Sequence, residues 1–181
     1  MIDSRSKLQA ALQKYKTSYT AEQPFISQFL SLLQSSQSFQ RDHLPGHITG
    51  SAWIIDQTRE YVLLTHHAKL NKWLQPGGHA DGDENVLRVA LREAEEETGV
   101  KNFRLLQEEI FDIDIHPIPA RKDMIAHDHY DIRFLLQADR NDPLIITEES
   151  HDLGWIKIEA LSNYNDSPSL LRMVEKVKNL L

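Results

Sequence analysis

The 181-residue chain is 40% hydrophobic and 26% charged with both signs interspersed, a balance that suits one folded domain with a modest extension and excludes a disordered or fibrous protein. A formal net charge of −7 argues against general nucleic-acid binding, which needs a basic surface to displace counterions, so an anionic substrate would need a metal ion as escort. With no cysteine, disulfides, thiolate zinc sites and cysteine nucleophiles are excluded, and without a signal-type or membrane-length apolar run the expected location is the cytosol, with no membrane partner.

Apolar residues recur at helical spacing from Ser4 to Tyr19 and from about Thr20 to Phe39, which predicts two N-terminal helices, the second opened by Thr20 and Gln23 as a capping box. Phe25, Ile26, Phe29, Leu30, Leu32 and Leu33 make that second helix too apolar to stand in water, so it is expected to cover the main domain or a partner subunit. A homodimer is the prediction from that face. The segment RDHLPGH carries Pro45 and Gly46 and reads as a turn, which divides the chain into a two-helix extension over 1–42 and a main domain over 43–181.

Beyond the turn, HITGSAWIID and EYVLLTH read as strands in hairpin-like order. Glu84 to Thr98 contains no Gly or Pro and is rich in Ala, Leu, Glu and Arg, a helix stopped by Gly99. Further strands are expected within FRLLQEEIFDIDI, HYDIRFLLQA and GWIKI, and Ser167 and Pro168 open a closing helix. Strands interrupted by one helix and closed by another predict an α/β fold, a mixed sheet packed between helices.

On the central helix, at about 100° per residue, Leu87, Ala90, Leu91 and Ala94 form an apolar stripe that can dock on a sheet. Glu93, Glu96 and Glu97 share a neighbouring edge, away from Arg88 and Arg92. Three anions on adjacent turns repel one another, and a hard divalent cation such as Mg²⁺, which prefers carboxylate oxygens and bridges phosphates to protein, would offset that repulsion. Ahead of the helix, Pro76, Gly77 and Gly78 make a tight loop where the backbone can approach a ligand and offer carbonyls. Arg92 precedes Glu93 by one residue and Glu96 by four, which lets its guanidinium orient carboxylates, although a surface pair of little consequence has the same spacing.

Gly78, five residues, Glu84, seven residues, then Arg92, Glu93, Ala94, Glu95, Glu96, Glu97, Thr98, Gly99 and Val100 match the Nudix box at every fixed position. Seven fixed letters at average residue frequencies match by chance on the order of once in 10⁸ starts, which sets aside the alternative of a merely solvated acidic face. The chain therefore resembles the Nudix hydrolases, strongly from Gly78 to Val100 and more loosely over the strands from about Ile48 to Ile158. That resemblance implies an α/β/α sandwich and Mg²⁺- or Mn²⁺-dependent hydrolysis of a nucleoside diphosphate derivative such as a nucleotide sugar, a dinucleotide or a nucleoside triphosphate. It also implies that Glu93, Glu96 and Glu97 are metal ligands together with the carbonyl of Gly77, and that one of these acids or a later glutamate is the general base. The resemblance gives Glu84 only a supporting part. The resemblance leaves a non-catalytic nucleotide-sensing module as the alternative, although such modules tend to have decayed boxes. An isopentenyl-diphosphate isomerase of the same fold would use a cysteine, which this chain lacks.

The family's further catalytic glutamate, in the loop before the last strand, falls on Glu148 or Glu149, with Glu149 preferred. In the strand HDHYDIRFLL, His127, His129, Asp131 and Arg133 share one face, opposite Tyr130, Ile132 and Phe134. That face suits phosphate or leaving-group binding, with Arg133 as a bidentate donor, and it equally suits a buried polar network. A zinc site on His127, His129 and Asp131 is a remoter option without a motif behind it. His67 ends a strand near the glycine loop, and Trp73 is the tryptophan best placed to stack on a base, whereas large aromatics such as Trp53 and Trp155 more often fill cores.

Overall fold

A computed structural model describes residues 1–180 except 121–123 and 149. Glu149 therefore lies outside the described residues. The chain forms two compact units, Met1–Ser51 with Gly78–Ala90 and Gln107–Phe134, and Ala52–Gly77 with Leu91–Leu106 and Leu135–Leu181.

The first unit holds helices α1 (Arg5–Lys14) and α2 (Gln23–Leu32), both shorter than their apolar periodicity suggests. Side-chain hydroxyls compete for the backbone beyond each end: Thr17 Oγ1 accepts the Tyr19 N–H, and Ser35 Oγ accepts the Gln37 N–H. The Thr20–Gln23 capping box does not form. The α2 cap position is Glu22, whose fully buried carboxylate turns inward to accept the Tyr15 hydroxyl at 2.7 Å and the Ile113 N–H at 3.3 Å. Phe29 and Leu32 of α2, with Leu33 just beyond it, are buried, and Phe29 meets Tyr130 edge-on at 5.2 Å. Phe29, Leu32 and Leu33 are thus covered from within their own unit, while Phe25, Ile26 and Leu30 stay half-buried. Glu84 holds the start of α1, accepting the Arg5 backbone N–H and its Nε–H, each at 3.0 Å. The same guanidinium donates to the carbonyls of Leu33, Ser35 and Ser36, so one residue of the box ties down the helical extension.

Strand β1 (Gly46–Ile55) begins in the first unit and ends in the second. In the second unit β2 (Tyr61–His67) pairs antiparallel with its end, Ile54 opposite Leu63, and with β3 (Lys72–Leu74), His66 opposite Trp73. The short β4 (Gly77–His79) pairs with β1. Helix α3 (Val86–Thr98) starts two residues later than expected, because Asn85 Oδ1 caps the Arg88 N–H and Asp83 Oδ1 takes the Asn85 N–H. After β5 (Arg104–Leu105) and β6 (Asp112–Ile118), the long β7 (His127–Gln137) pairs antiparallel with both, with β6 in the first unit and β5 in the second. β8 (Ser150–Lys157) pairs with β2, a 3₁₀ turn follows over Ile158–Asn163, and α4 (Pro168–Lys178) closes the chain from Ser167 as expected. The expected α/β class, strands in a mixed sheet with flanking helices, is the observed one. No helix among the described residues is long and apolar enough to cross a membrane.

The core of the second unit gathers Ala52, Ile54, Leu63, Ala94, Val100, Leu136, Ala138 and Leu153, with Leu91 and Trp155 packed against it, so the helix is seated on the sheet by its apolar stripe. Gly99 ends the helix at φ +75°, where its N–H returns to the Glu95 carbonyl. Gly99→Ala is expected to lower stability by about 1–2 kcal/mol, the cost of a left-handed conformation for a residue with a Cβ. The added Cβ would also fall 2.6 Å from Ile145 Cγ1 and 2.7 Å from its Cβ, which no rotamer change moves, so a local backbone shift adds to that cost. Urea unfolding followed by circular dichroism measures it.

Candidate active site

All three box acids of α3 lie in the second unit beside Gly77 and β2. Glu97 is buried. Its Oε1 accepts the Gly77 N–H at 2.8 Å and its Oε2 accepts the Thr65 hydroxyl at 3.3 Å, so β2 and β4, which Gly77 and Gly78 form in place of the expected tight loop, together fix one carboxylate. Gly77, expected to offer its carbonyl, thus touches this acid through its N–H. One turn away, Arg92 Nη1 stands 2.7 Å from Glu93 Oε1 and 3.4 Å from Glu96 Oε2. The Arg92 side chain is 39% exposed and that of Glu96 60%, so these pairs add little stability and serve to orient the acids. Glu93 is more enclosed, at 15%. The edge therefore runs from a fixed, enclosed carboxylate to an open, adjustable one.

This donor set suits a hard divalent cation. Mg²⁺ keeps several waters and takes only one or two carboxylates directly, so it does not require three acids drawn tightly together. Glu93, Glu96 and Glu97 are the carboxylates that could hold such an ion, and Arg92 offsets part of their mutual repulsion.

Also in the second unit, Trp73 is half-buried, its indole stacked on His66 at 5.1 Å and 7° and met edge-on by Tyr164 at 5.6 Å. His67 sits half-buried at the end of β2, its Nδ1 accepting the Lys69 N–H. Trp53 is fully buried, the core position its size favours.

The polar face of β7 belongs to the first unit, and it is turned inward. Arg133 is 2% exposed and its guanidinium is shared among three carboxylates, Asp131 at 2.8 Å, Asp112 at 3.0 Å and Asp114 at 3.2 Å. Burial works against the charged guanidinium, but the three aspartates outweigh it and raise its pKa above the ordinary value. Asp131 also accepts the hydroxyls of Thr49 and Ser51. Of the two readings of this face, phosphate donor or buried network, Arg133 follows the network.

His127 and His129 continue the same face, and there the structure adds residues that strand alternation alone does not gather. The His47 ring lies 4.9 Å from His127 and 5.0 Å from His129, and the His79 ring lies 5.1 Å from His47 and 5.0 Å from His129. His116 stands opposite His129 in the β6–β7 register. Cross-strand pairing made this cluster; the only local hint was a histidine at alternate positions of β7. Burial, then the neighbouring His79, hold the His47 pKa down to about 4, and burial and His79, helped by His116, His47 and His127, hold His129 down to about 2.

These shifts make the fold acid-sensitive. Above the unfolded value of about 6.5 both states are neutral and the rings contribute nothing to pH dependence. As pH falls below it, the unfolded chain takes up protons that the folded chain refuses, so stability drops. At pH 5 the loss is expected to be about 2 kcal/mol for each of the two rings. Thermal melts in EDTA buffer from pH 7.5 to 5 measure it, and a flat profile would contradict it.

The NUDIX domain family model matches residues 46–177. The asymmetrical bis(5'-nucleosyl)-tetraphosphatase of Mus musculus is 30% identical over 105 residues, covering 58% of this chain and 68% of that protein. Its Rattus norvegicus counterpart is 37% identical over 65 residues, covering 36% of this chain, and the match spans 44% of the rat protein's length. A solved hydrolase of the NUDIX family from Clostridium perfringens has a TM-score of 0.55 and 26% identity, covering 75% of this chain and 98% of that one. With the box geometry in place, a family match over most of the chain and a relative covered for two thirds of its length, the chain belongs to the NUDIX domain family.

Proposed function

We propose that the protein is a cytosolic, Mg²⁺- or Mn²⁺-dependent hydrolase that cleaves the pyrophosphate bond of a nucleoside diphosphate derivative. The supporting observation is the Glu97 carboxylate clamped between the Gly77 N–H and the Thr65 hydroxyl, beside Glu93 and Glu96 on one guanidinium. Glu93, Glu96 and Glu97 would hold the ion, with the Gly77 carbonyl as a further oxygen. The bound ion would neutralise phosphate charge and polarise the P–O bond under attack. Water adds to phosphorus, the bridging P–O bond breaks toward the leaving phosphate, and the water's proton passes to a carboxylate. That base is one of the box acids or Glu149. Arg92 keeps Glu93 and Glu96 turned to one edge, and Trp73 and His67 receive the base or sugar.

The relatives that carry the name bis(5'-nucleosyl)-tetraphosphatase make a dinucleotide the first substrate class to test. A panel of dinucleoside polyphosphates, nucleotide sugars and nucleoside triphosphates should be incubated with Mg²⁺ or Mn²⁺ and the released nucleotides separated chromatographically. Turnover of at least one class, abolished by EDTA, is the expected result. Nucleotide binding without turnover would support the sensing module instead.

A further inference from the structure

We infer that His47, His127 and His129 form a second metal site, for a divalent first-row transition ion of the zinc type, built wholly within the first unit by β1 and β7. One nitrogen from each ring lies within 4.8 Å of the others. Nitrogens bound tetrahedrally at about 2.0–2.1 Å stand about 3.3–3.4 Å apart, so inward motions of about 1 Å or less bring them onto one ion.

Burial and hydrogen bonding point the same way. His47 is 1% exposed; the backbone of His43 approaches its ring, but neither ring nitrogen reaches a partner with good hydrogen-bond geometry among the described residues. His127 is 6% exposed, and its Nδ1 lies 2.8 Å from the Ile125 carbonyl. A carbonyl only accepts, so Nδ1 carries the proton and Nε2 carries the lone pair. That Nε2 is buried without a partner, as is Nε2 of His129. A backbone carbonyl holding the far nitrogen of a ligating histidine is the usual outer support of a metal-bound imidazole. Each of the three touching rings thus turns one buried, unpartnered nitrogen toward the others, a costly arrangement unless something takes those three lone pairs.

An anion is a poor candidate for that role. His127 gives its Nδ1 proton to the Ile125 carbonyl, so the nitrogen it turns toward the other rings is an acceptor, which suits a cation and not a phosphate oxygen. Imidazole nitrogens favour zinc, nickel, cobalt or copper over magnesium, so this site and the box acids select different ions. Asp131, the acid that strand alternation puts beside His127 and His129, is instead engaged with Arg133, Thr49 and Ser51, and His47 takes its place. His79 and His116 complete the surrounding ring shell, His116 through Asp114 at 3.3 Å.

Tag-free full-length protein, stripped with chelator, should be titrated with ZnCl₂, CoCl₂ and MgCl₂ by calorimetry and elemental analysis. One Zn²⁺ per chain is expected, with Kd on the order of 10⁻⁶ M or below. At a hundredfold excess over Kd, Tm should rise by about 5–10 °C with Zn²⁺ and stay put with Mg²⁺. His47→Asn should weaken Zn²⁺ binding about 100-fold, more than the loss of an outer support would, while Glu96→Gln should leave it unchanged. Should His47→Asn fail to fold, ¹⁵N spectra of the wild-type histidine rings under Zn²⁺ decide: the Nε2 signals of His127 and His129 must move. Millimolar binding, unmoved ring signals, or uptake that survives His47→Asn in a folded protein or disappears with Glu96→Gln would each overturn the site.

Discussion

Replacing Glu97 by glutamine is expected to lower kcat/KM by about 10²- to 10⁴-fold while leaving the fold in place. The separation of the two effects follows from the geometry. The glutamine carbonyl still accepts the Gly77 N–H, and its amide still meets the Thr65 hydroxyl, which can accept as well as donate. What disappears is the negative charge, so stability should change by less than about 1 kcal/mol. Glu95→Gln is the control, since Glu95 is exposed and off the carboxylate edge, and it should keep activity within about twofold. Glu96→Gln removes the open, adjustable acid, so part of its deficit should be recovered at higher Mg²⁺. Wild-type kcat/KM in a folded Glu97→Gln protein would remove this carboxylate from the reaction and with it the proposed mechanism.

The box was legible because it is local. One glycine turn, one helix and fixed spacings put Glu93, Glu96 and Glu97 on a common edge before any tertiary contact is known, and Arg92 met the acids that its spacing reaches. The longer elements were legible for the same reason, since periods of two and of 3.6 are properties of short windows, whereas the three-residue strands β3 and β4 are too short to show a period. Helix ends were less so. The serine and threonine hydroxyls that end α1 and α2 act through side chain to backbone bonds, which apolar spacing does not register. The polar alternation of β7 was visible, but not whether that face looks to water or inward, because the answer lies in Thr49 and Ser51 of β1 and in Asp112 and Asp114 of β6. The histidine cluster was invisible for a stronger reason. His47, His79, His116 and His129 sit on four different strands, and the pairing of β4 with β1, of β1 with β7 and of β6 with β7 brings their rings together.

Arg133→Met should cost about 3–5 kcal/mol at neutral pH, the loss expected when one side of a buried ion pair is deleted and the other remains. Methionine nearly conserves the volume, so a cavity contributes little. The deficit is electrostatic: Asp112, Asp114 and Asp131 stay buried at 0–11% side-chain exposure with their shared cation gone. The cross-strand register makes the cause separable, because Asp112 stands directly opposite Arg133 and Asp114 opposite Asp131. Asp112→Asn in the wild-type background leaves Arg133 two carboxylates and should be mild. In the Arg133→Met background the same change removes one of the three anions that shared the guanidinium and should restore part of the loss, a favourable coupling of about 1–3 kcal/mol by double-mutant cycle. If the network instead served phosphate binding, Arg133→Met would leave the fold intact and raise KM. Urea unfolding of the four proteins of the cycle, beside KM for whichever substrate turns over, tells the two outcomes apart, since one moves the unfolding midpoint and the other moves only substrate affinity.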